Sequence, residues 1–474
     1  MLILFPLLTF PYISKVLQVE NIGKINYSQS IVSYFSLIAS LGITSYAIRE
    51  GSRIKNNNVK LNKFVNEIFS INIYSTLLAY SLLFIAIFFI GKFREYWLLM
   101  LIQSFSIIFT TISVDWINVI FEDYFYITIR SIIIQIFSLI LMYVFVKNPC
   151  DYYLYEIISV CCNGLVSVLN LMRVKKYCKI KLCKRIDFKR HIRPILILFY
   201  NNLAVSIYVS SDTTMLGWMV GAYYVGLYAV AVKIYSIIKQ LIGSIYSVIT
   251  ARMSLYYAEG KTNEFKTLLS SVINIIIFIS IPATFGILFT ANEIVIELSD
   301  TTYEPSSVAL RILALAFFFA ILGGVLASCV NLPLKREKNN LLATVISAML
   351  NIILNLFLIP KYKQNGAAFT TFLAELSVSL ILLYGLRDHY DLFNFKEMKV
   401  NITKCLISSS PMFLTDYISR YLLHLKGIKY LSIMVILSAS TYFGMNVLLK
   451  NQCIILSIKE IFKTKKTGGI NESA

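Results

Sequence analysis

The chain has 474 residues, of which 57% are hydrophobic and only 15% charged, with a mean hydropathy of +0.71 and a formal net charge of +19. A soluble domain carries roughly 25% charged residues, so this composition excludes an ordinary water-soluble enzyme and makes a bilayer the solvent for most of the surface. It predicts one all-α polytopic membrane protein in place of two or three soluble domains.

A helix needs about 20 mostly apolar residues to cross the roughly 30 Å hydrocarbon core. Taken in chain order, such runs place about 14 transmembrane helices, near residues 1–17, 27–48, 68–91, 96–114, 126–147, 152–172, 195–218, 223–250, 267–291, 307–331, 339–360, 365–386, 400–419 and 428–449. The runs are continuous and do not alternate, which argues against a β-barrel. The first contains Pro6 and Pro11, with no basic start and no small-residue cleavage site; it reads as a retained, kinked helix and not as a cleaved signal peptide. Between the fourth and fifth spans lies "DWINVIFEDYFYITIR", residues 115–130, with three acids (Asp115, Glu122, Asp123) and one base, Arg130. An uncompensated ion at mid-bilayer costs about 2.5–3.5 kcal/mol on insertion scales. Opposite charges gathered at the cytoplasmic interface reduce that cost, either as a clamp joining the two spans or as a gate. Trp116 reads as an interfacial anchor.

Between the sixth and seventh spans comes the densest basic block, "RVKKYCKIKLCKRIDFKRHIR", residues 173–193. It reads as a cytoplasmic anchor against anionic headgroups; with no nucleic-acid-binding module around it, nucleic acid is not an expected partner. It divides the chain into an N-terminal lobe over 1–172, a linker over 173–194, a C-terminal lobe over 195–386, and two last spans with a tail over 387–474. With the N-terminus inside, the cytoplasmic loops and tail hold 29 of the 44 Lys and Arg residues and the external side holds 10. That asymmetry predicts both termini in the cytoplasm.

The two lobes look related. "GKINYSQSIVSYF" begins at Gly23 with Arg49 26 residues later, and "GLYAVAVKIYSII" begins at Gly226 with Arg252 at the same spacing. The offset of 203 also pairs Ile31 with Ile234 and Ser33 with Ser236. Two pseudo-symmetric six-helix lobes in the same orientation form a transporter architecture.

Enzyme signals are poor. No Gly-rich phosphate loop ends in Gly-Lys-Ser/Thr, and His191, His389 and His424 form no HExxH. Each histidine reads as an ordinary loop or interfacial side chain. Cys178 and Cys183 lack the second pair a zinc site needs, so neither metal nor cofactor is expected.

Six stretches occur in order: "PLLTFPYISKVL", "SQSIVSYFSLIASLGITSYAIRE", "DWINVIFEDYFYITIR", "SDTTMLG", "VGLYAVAVKIYSIIKQLI" and "LNLFLIPKYKQNGAAFTTFLAE". Together they resemble the Wzx-type polysaccharide flippases of the multidrug/oligosaccharidyl-lipid/polysaccharide (MOP) exporter superfamily. The resemblance implies a flippase of the bacterial inner membrane. It would turn undecaprenyl-pyrophosphate-linked oligosaccharide, for O-antigen or capsule, across the bilayer by alternating access. Membrane lipids, a polysaccharide polymerase and a chain-length regulator are the implied partners. The alternatives are a drug/cation antiporter of the same superfamily and an integral-membrane polymerase. The chain departs from the family at Lys15, where Arg is usual, and at Gln18 and Ile120, where Gly is usual.

A pyrophosphate cargo calls for cations, and an ion-driven cycle calls for acids inside the membrane. The candidate substrate-binding residues are Lys15, Arg49, Arg130, Lys233, Lys239 and Arg311. The candidate ion-coupling or gating residues are Asp115, Glu122, Asp212 and Glu375. Lys233 and Glu375 are the deepest of these; Arg311 is near enough to the outer surface to snorkel. Asn351 and Asn355 read as cross-helix hydrogen-bonding residues.

Overall fold

The structure, a computed structural model, describes residues 4–183, 186–422 and 427–451. His424 and the tail beyond residue 451 lie outside the described residues. Among those described, the chain is helical with no strand. Eleven stretches are long and apolar enough to cross a membrane, and the protein is an all-α, multi-pass membrane protein.

The helices are α1 (Leu4–Ser40), α2 (Ile43–Ile54), α3 (Asn58–Phe89), α4 (Gly91–Glu95), α5 (Trp97–Ser113), α6 (Trp116–Ile120), α7 (Tyr124–Phe145) and α8 (Tyr152–Val174), followed by α9 (Phe188–Met219), α10 (Ala222–Ala258), α11 (Thr262–Leu298) and α12 (Ser306–Val325). The chain continues with α13 (Glu337–Gly385), α14 (Phe395–Ser409), α15 (Met412–Tyr417) and α16 (Gly427–Leu448). Helix α13 has 49 residues; run straight, it would measure about 74 Å, more than twice the hydrocarbon thickness. It is broken at Lys363 (φ 55°, ψ −131°), where the sequence places the turn between two spans. Helix α1 is broken likewise at Gln18 (φ 64°, ψ 171°). That left-handed φ is the backbone state glycine adopts freely and costs another residue roughly 1–2 kcal/mol. The glycine expected at Gln18 from the resemblance thus has a backbone reason. The apolar run over 400–419 is not one straight helix: α14 ends at Ser409, and α15 restarts after Pro411.

The chain forms two compact units. The first comprises Met1–Ala229 with Asn355–Gln364, and the second comprises Val230–Leu354 with Asn365–Ala474. In the first, α1 packs on α3, α5 and α9, and α5 packs on α8. One apolar core gathers Ile43, Tyr46, Leu61, Phe64, Trp116 and Ile195; another gathers Ile13, Leu17, Ile25, Leu99 and Ile158. In the second, α11 is the hub and packs on α12, α14 and α16.

Trp116 is 5% exposed inside the first of those cores, so it is a packing residue and not the interfacial anchor its position suggested. Ile120 fills the space over Gly51, where an added Cβ would strike its Cδ1. A residue larger than the family's usual glycine is accommodated there by the glycine facing it.

Within the first unit, α1 and the start of α10 cross at backbone distance. A Cβ on Gly23 would strike the carbonyl oxygen of Ala222, and one on Gly226 would strike the carbonyl oxygen of Val19. Residues 19 and 222, like 23 and 226, are 203 apart, so the crossing is reciprocal at that offset. The left-handed Gln18 (φ 64°) and Gly221 (φ 105°) share that offset.

Candidate functional site

The stretch over 115–130 is a folded turn. Helix α5 ends at Val114 in the left-handed region (φ 41°), α6 makes barely more than one turn, and Glu122 (φ 59°) reverses the chain into α7. Every charge in it is paired. Arg130 is buried and its Nη1 lies 3.6 Å from Asp115 Oδ1. The same oxygen accepts from Asn170 at 2.9 Å and from Asn118 at 3.3 Å. Glu122 pairs with Lys55 at 2.9 Å, and Asp123 accepts from Arg173 at 2.9 Å and from the Tyr177 hydroxyl at 2.7 Å. The segment therefore ties α2, α7 and α8 together, with both Arg130 and Arg173 at cation–π distance from the Tyr126 ring.

The Lys55 ammonium holds the Glu122 carboxyl below the usual carboxylate range, and the Tyr177 hydroxyl, followed by Arg173, does the same for Asp123. A depressed carboxyl contributes stability above its unfolded value and loses it as pH falls through its folded value. The pairings of Glu122 with Lys55 and of Asp123 with Tyr177 and Arg173 are therefore at full strength at neutral pH and weaken only in acid.

The Asp115 carboxylate also lines a cavity of about 450 Å³ in the first unit, whose wall includes Ser40, Thr44, Asn72, Ser106, Thr110 and Asn163. These hydroxyl and amide groups give a water or a polar solute entering the cavity several hydrogen-bond partners.

Asp212, 5% exposed on α9, accepts from Asn355 at 2.6 Å and from the Tyr228 hydroxyl at 2.8 Å. Asn355 thus bonds across helices, as its position in an apolar span implies, and brings the end of α13's first half to α9. Asn351 bonds to Thr370 at 3.4 Å. Sequence spacing gave no sign that Tyr228 would complete the Asp212 group.

In the second unit, Glu375 Oε1 pairs with Lys239 Nζ at 2.5 Å and accepts from the Tyr235 hydroxyl at 3.2 Å. Two residues assigned separately, one to substrate and one to ion coupling, are thus partners. Lys233 is the twelfth residue of α10, about 17 Å along the helix axis at 1.5 Å per residue. It is half-buried, and among the described residues no carboxylate pairs with it. Arg311 is exposed on α12, five residues past its start, where the guanidinium can snorkel. Lys15 is exposed on α1. Arg49 is exposed, stacks 5.9 Å from the Tyr46 ring and pairs with Glu50 at 3.1 Å.

His191 is not the loop or interfacial side chain the sequence suggested. It is fully buried, with Nε2 2.9 Å from Glu67 Oε2 and Nδ1 2.8 Å from the Tyr46 hydroxyl. This knot pins the start of α9 to α2 and α3. A lone histidine in a run of lysines and arginines carries no sequence signal for it.

The fold and these charges define a multi-pass helical membrane protein with ionisable groups set inside its bundles. The chain belongs to the polysaccharide biosynthesis protein family, which matches residues 1–257. It is 25% identical to the capsular polysaccharide biosynthesis protein CapF of Staphylococcus aureus, over 77% of this chain and 90% of that protein. In fold it resembles the lipid II flippase MurJ in an inward closed conformation, with a TM-score of 0.78, 17% identity, and 95% of this chain and 97% of that one covered. It also resembles an inward-facing MATE-family multidrug resistance transporter of the MOP superfamily, with a TM-score of 0.62, 14% identity, and 82% and 94% covered.

Proposed function

We propose that the protein is a flippase, not an enzyme, that carries an undecaprenyl-pyrophosphate-linked oligosaccharide, destined for O-antigen or capsule, across the bacterial inner membrane by alternating access. Family membership, the capsular relative and the MurJ-like fold support a lipid-linked glycan as cargo. The observation that carries the reading is Lys233, a deep cation with no carboxylate partner among the described residues, while its neighbour Lys239 is neutralised by Glu375. A pyrophosphate supplies the missing anion, and each charge offsets the other's desolvation. A drug/cation antiporter has no use for such a cation, and a polymerase would lengthen glycans in place.

The test is a strain lacking its own flippase. Expressing this chain should restore surface glycan and clear the lipid-linked repeat units held on the inner face. If single units reach the outer face without the protein, the flippase reading fails and the polymerase reading gains.

The topology follows from the basic residues, with the 173–193 linker and both termini in the cytoplasm. Thr301 and Lys181 are both exposed, so each offers a labelling position in a cysteine-free background. An impermeant thiol reagent added outside whole cells should label Thr301→Cys and leave Lys181→Cys unlabelled; the opposite pattern overturns the orientation.

A further inference from the structure

The second unit holds a cavity that none of the foregoing uses. It lies where α14 begins and α16 ends against α11, and its volume is about 350 Å³, within the roughly 300–1,000 Å³ of small-ligand sites. One wall is a chain of buried amides. Asn451 Nδ2 donates to Asn401 Oδ1 at 3.0 Å, Asn401 Nδ2 to Asn274 Oδ1 at 3.1 Å, and Asn274 Nδ2 to Glu397 Oε1 at 2.9 Å. The other Glu397 oxygen accepts from Ser270 at 3.0 Å and from Asn394 at 2.8 Å. With its donors committed in one direction, this wall is set before any ligand arrives.

The rest of the lining is cationic, with Lys396, Lys404 and Lys450 against the single carboxylate of Glu397. Lys404 Nζ donates to the Lys450 carbonyl oxygen at 3.0 Å and so caps the end of α16. Lys396 and Lys450 are exposed, and among the described residues neither pairs with a carboxylate. Glu397 already accepts three hydrogen bonds from neutral donors, so it needs no lysine and leaves the ammonium groups available. Such a lining selects an anion with several acceptor oxygens, which is the chemistry of a phosphate. A second observation bears on where that phosphate comes from. Val400, in the lining, is 48% exposed, and Leu406, Ile407, Val447 and Leu448 on the same two helices are exposed as well. A soluble phosphate compound gains nothing from this apolar flank, whereas a lipid lays its acyl chains along it.

We propose that this cavity is a binding site for an anionic phospholipid, with the headgroup phosphodiester among Lys396, Lys404 and Lys450 and the acyl chains along α14 and α16. The bound lipid bridges the start of α14 and the end of α16, adding to the direct ties that Lys404 makes to Lys450 and Asn451 makes to Asn401. The site shares no residue with Lys233 or with the Lys239–Glu375 pair, so it is independent of the flippase reading and is tested without measuring transport.

Native mass spectrometry of the purified full-length protein, exchanged into phosphatidylcholine and titrated with phosphatidylglycerol, should show phosphatidylglycerol held in preference. Lys396→Gln combined with Lys450→Gln should weaken that binding about 30-fold, at roughly fivefold for each lysine beside an anionic headgroup. Lys399→Gln removes the same charge from an exposed position on α14 outside the cavity and should leave binding unchanged. Adducts are counted on ions of folded charge state only, so a loss of fold does not count as a loss of binding. Undiminished binding by the double variant would overturn the site, as would an equal loss in Lys399→Gln, which marks diffuse attraction. Glycerophosphoglycerol, the same headgroup without chains, and inorganic phosphate separate the two sources of the anion. Neither should displace the lipid at a matching concentration; displacement by either would overturn the phospholipid and assign the cavity to a soluble phosphate compound.

Discussion

Lys233→Glu is expected to abolish surface display of the glycan while the protein still reaches the membrane. The substitution reverses the sign of a half-buried side chain in a low-dielectric setting, where charge interactions are strongest. A pyrophosphate that gains from the ammonium is repelled by the carboxylate, and a lone carboxylate deep in a span costs about 2.5–3.5 kcal/mol on insertion scales. Lys233→Arg should retain much of the display, because a pocket that admits a bulky polar head admits a guanidinium. Lys233→Ala should fall between. Since no acid pairs with Lys233 among the described residues, no second-site neutralisation of a neighbouring carboxylate should rescue the Ala variant. The measurement is complementation of a flippase-deletion strain, scored as surface glycan per unit of membrane protein. Full display by Lys233→Glu would remove Lys233 from the transport path.

The greater part of the fold was legible because a bilayer enforces it. Runs of apolar residues about 20 long have few alternatives to helix in hydrocarbon, and the breaks at Gln18 and Lys363 fall where the runs are interrupted. The offset of 203 was legible as a few identities, and the same offset relates the two close crossings of Gly23 and Gly226 with the facing carbonyl oxygens of Ala222 and Val19. The partners of the charges were harder to read. Sequence gathers Asp115 and Arg130 at the junction of two spans, and they do meet, across a turn that the left-handed Val114 and Glu122 create. Glu375 meets Lys239, and Asp212 meets Asn355 across 143 residues of chain. Such pairs depend on helix packing, about which one amphipathic pattern is nearly silent when all faces are apolar. The knot of Glu67, His191 and Tyr46 was missed for the same reason: each is one polar letter in an oily helix, with its partner on another.

The pair of Lys239 and Glu375 yields the other large expected effect. At 2.5 Å, with Glu375 nearly buried and the Tyr235 hydroxyl on the same oxygen, the two side chains solve a shared desolvation problem. Glu375→Gln leaves Lys239 with its charge and no counterion. Breaking a buried pair from one side costs about 3–5 kcal/mol, and the third of Lys239 that remains exposed lets water recover part of that, so the lower end applies. Thermal melting of the purified Glu375→Gln protein should shift down well beyond the effect of a surface substitution, with less protein in the membrane. Lys239→Met combined with Glu375→Gln removes both charges at similar volume and should recover most of the melting temperature, since a buried ion pair and its apolar replacement are often nearly equal in stability. Translocation separates structure from transport. If the pair only holds α10 to the second half of α13, the double variant should transport as well as it folds. If Glu375 instead carries an ion, the double variant should be stable and inactive, and Glu375→Gln alone should melt close to wild type.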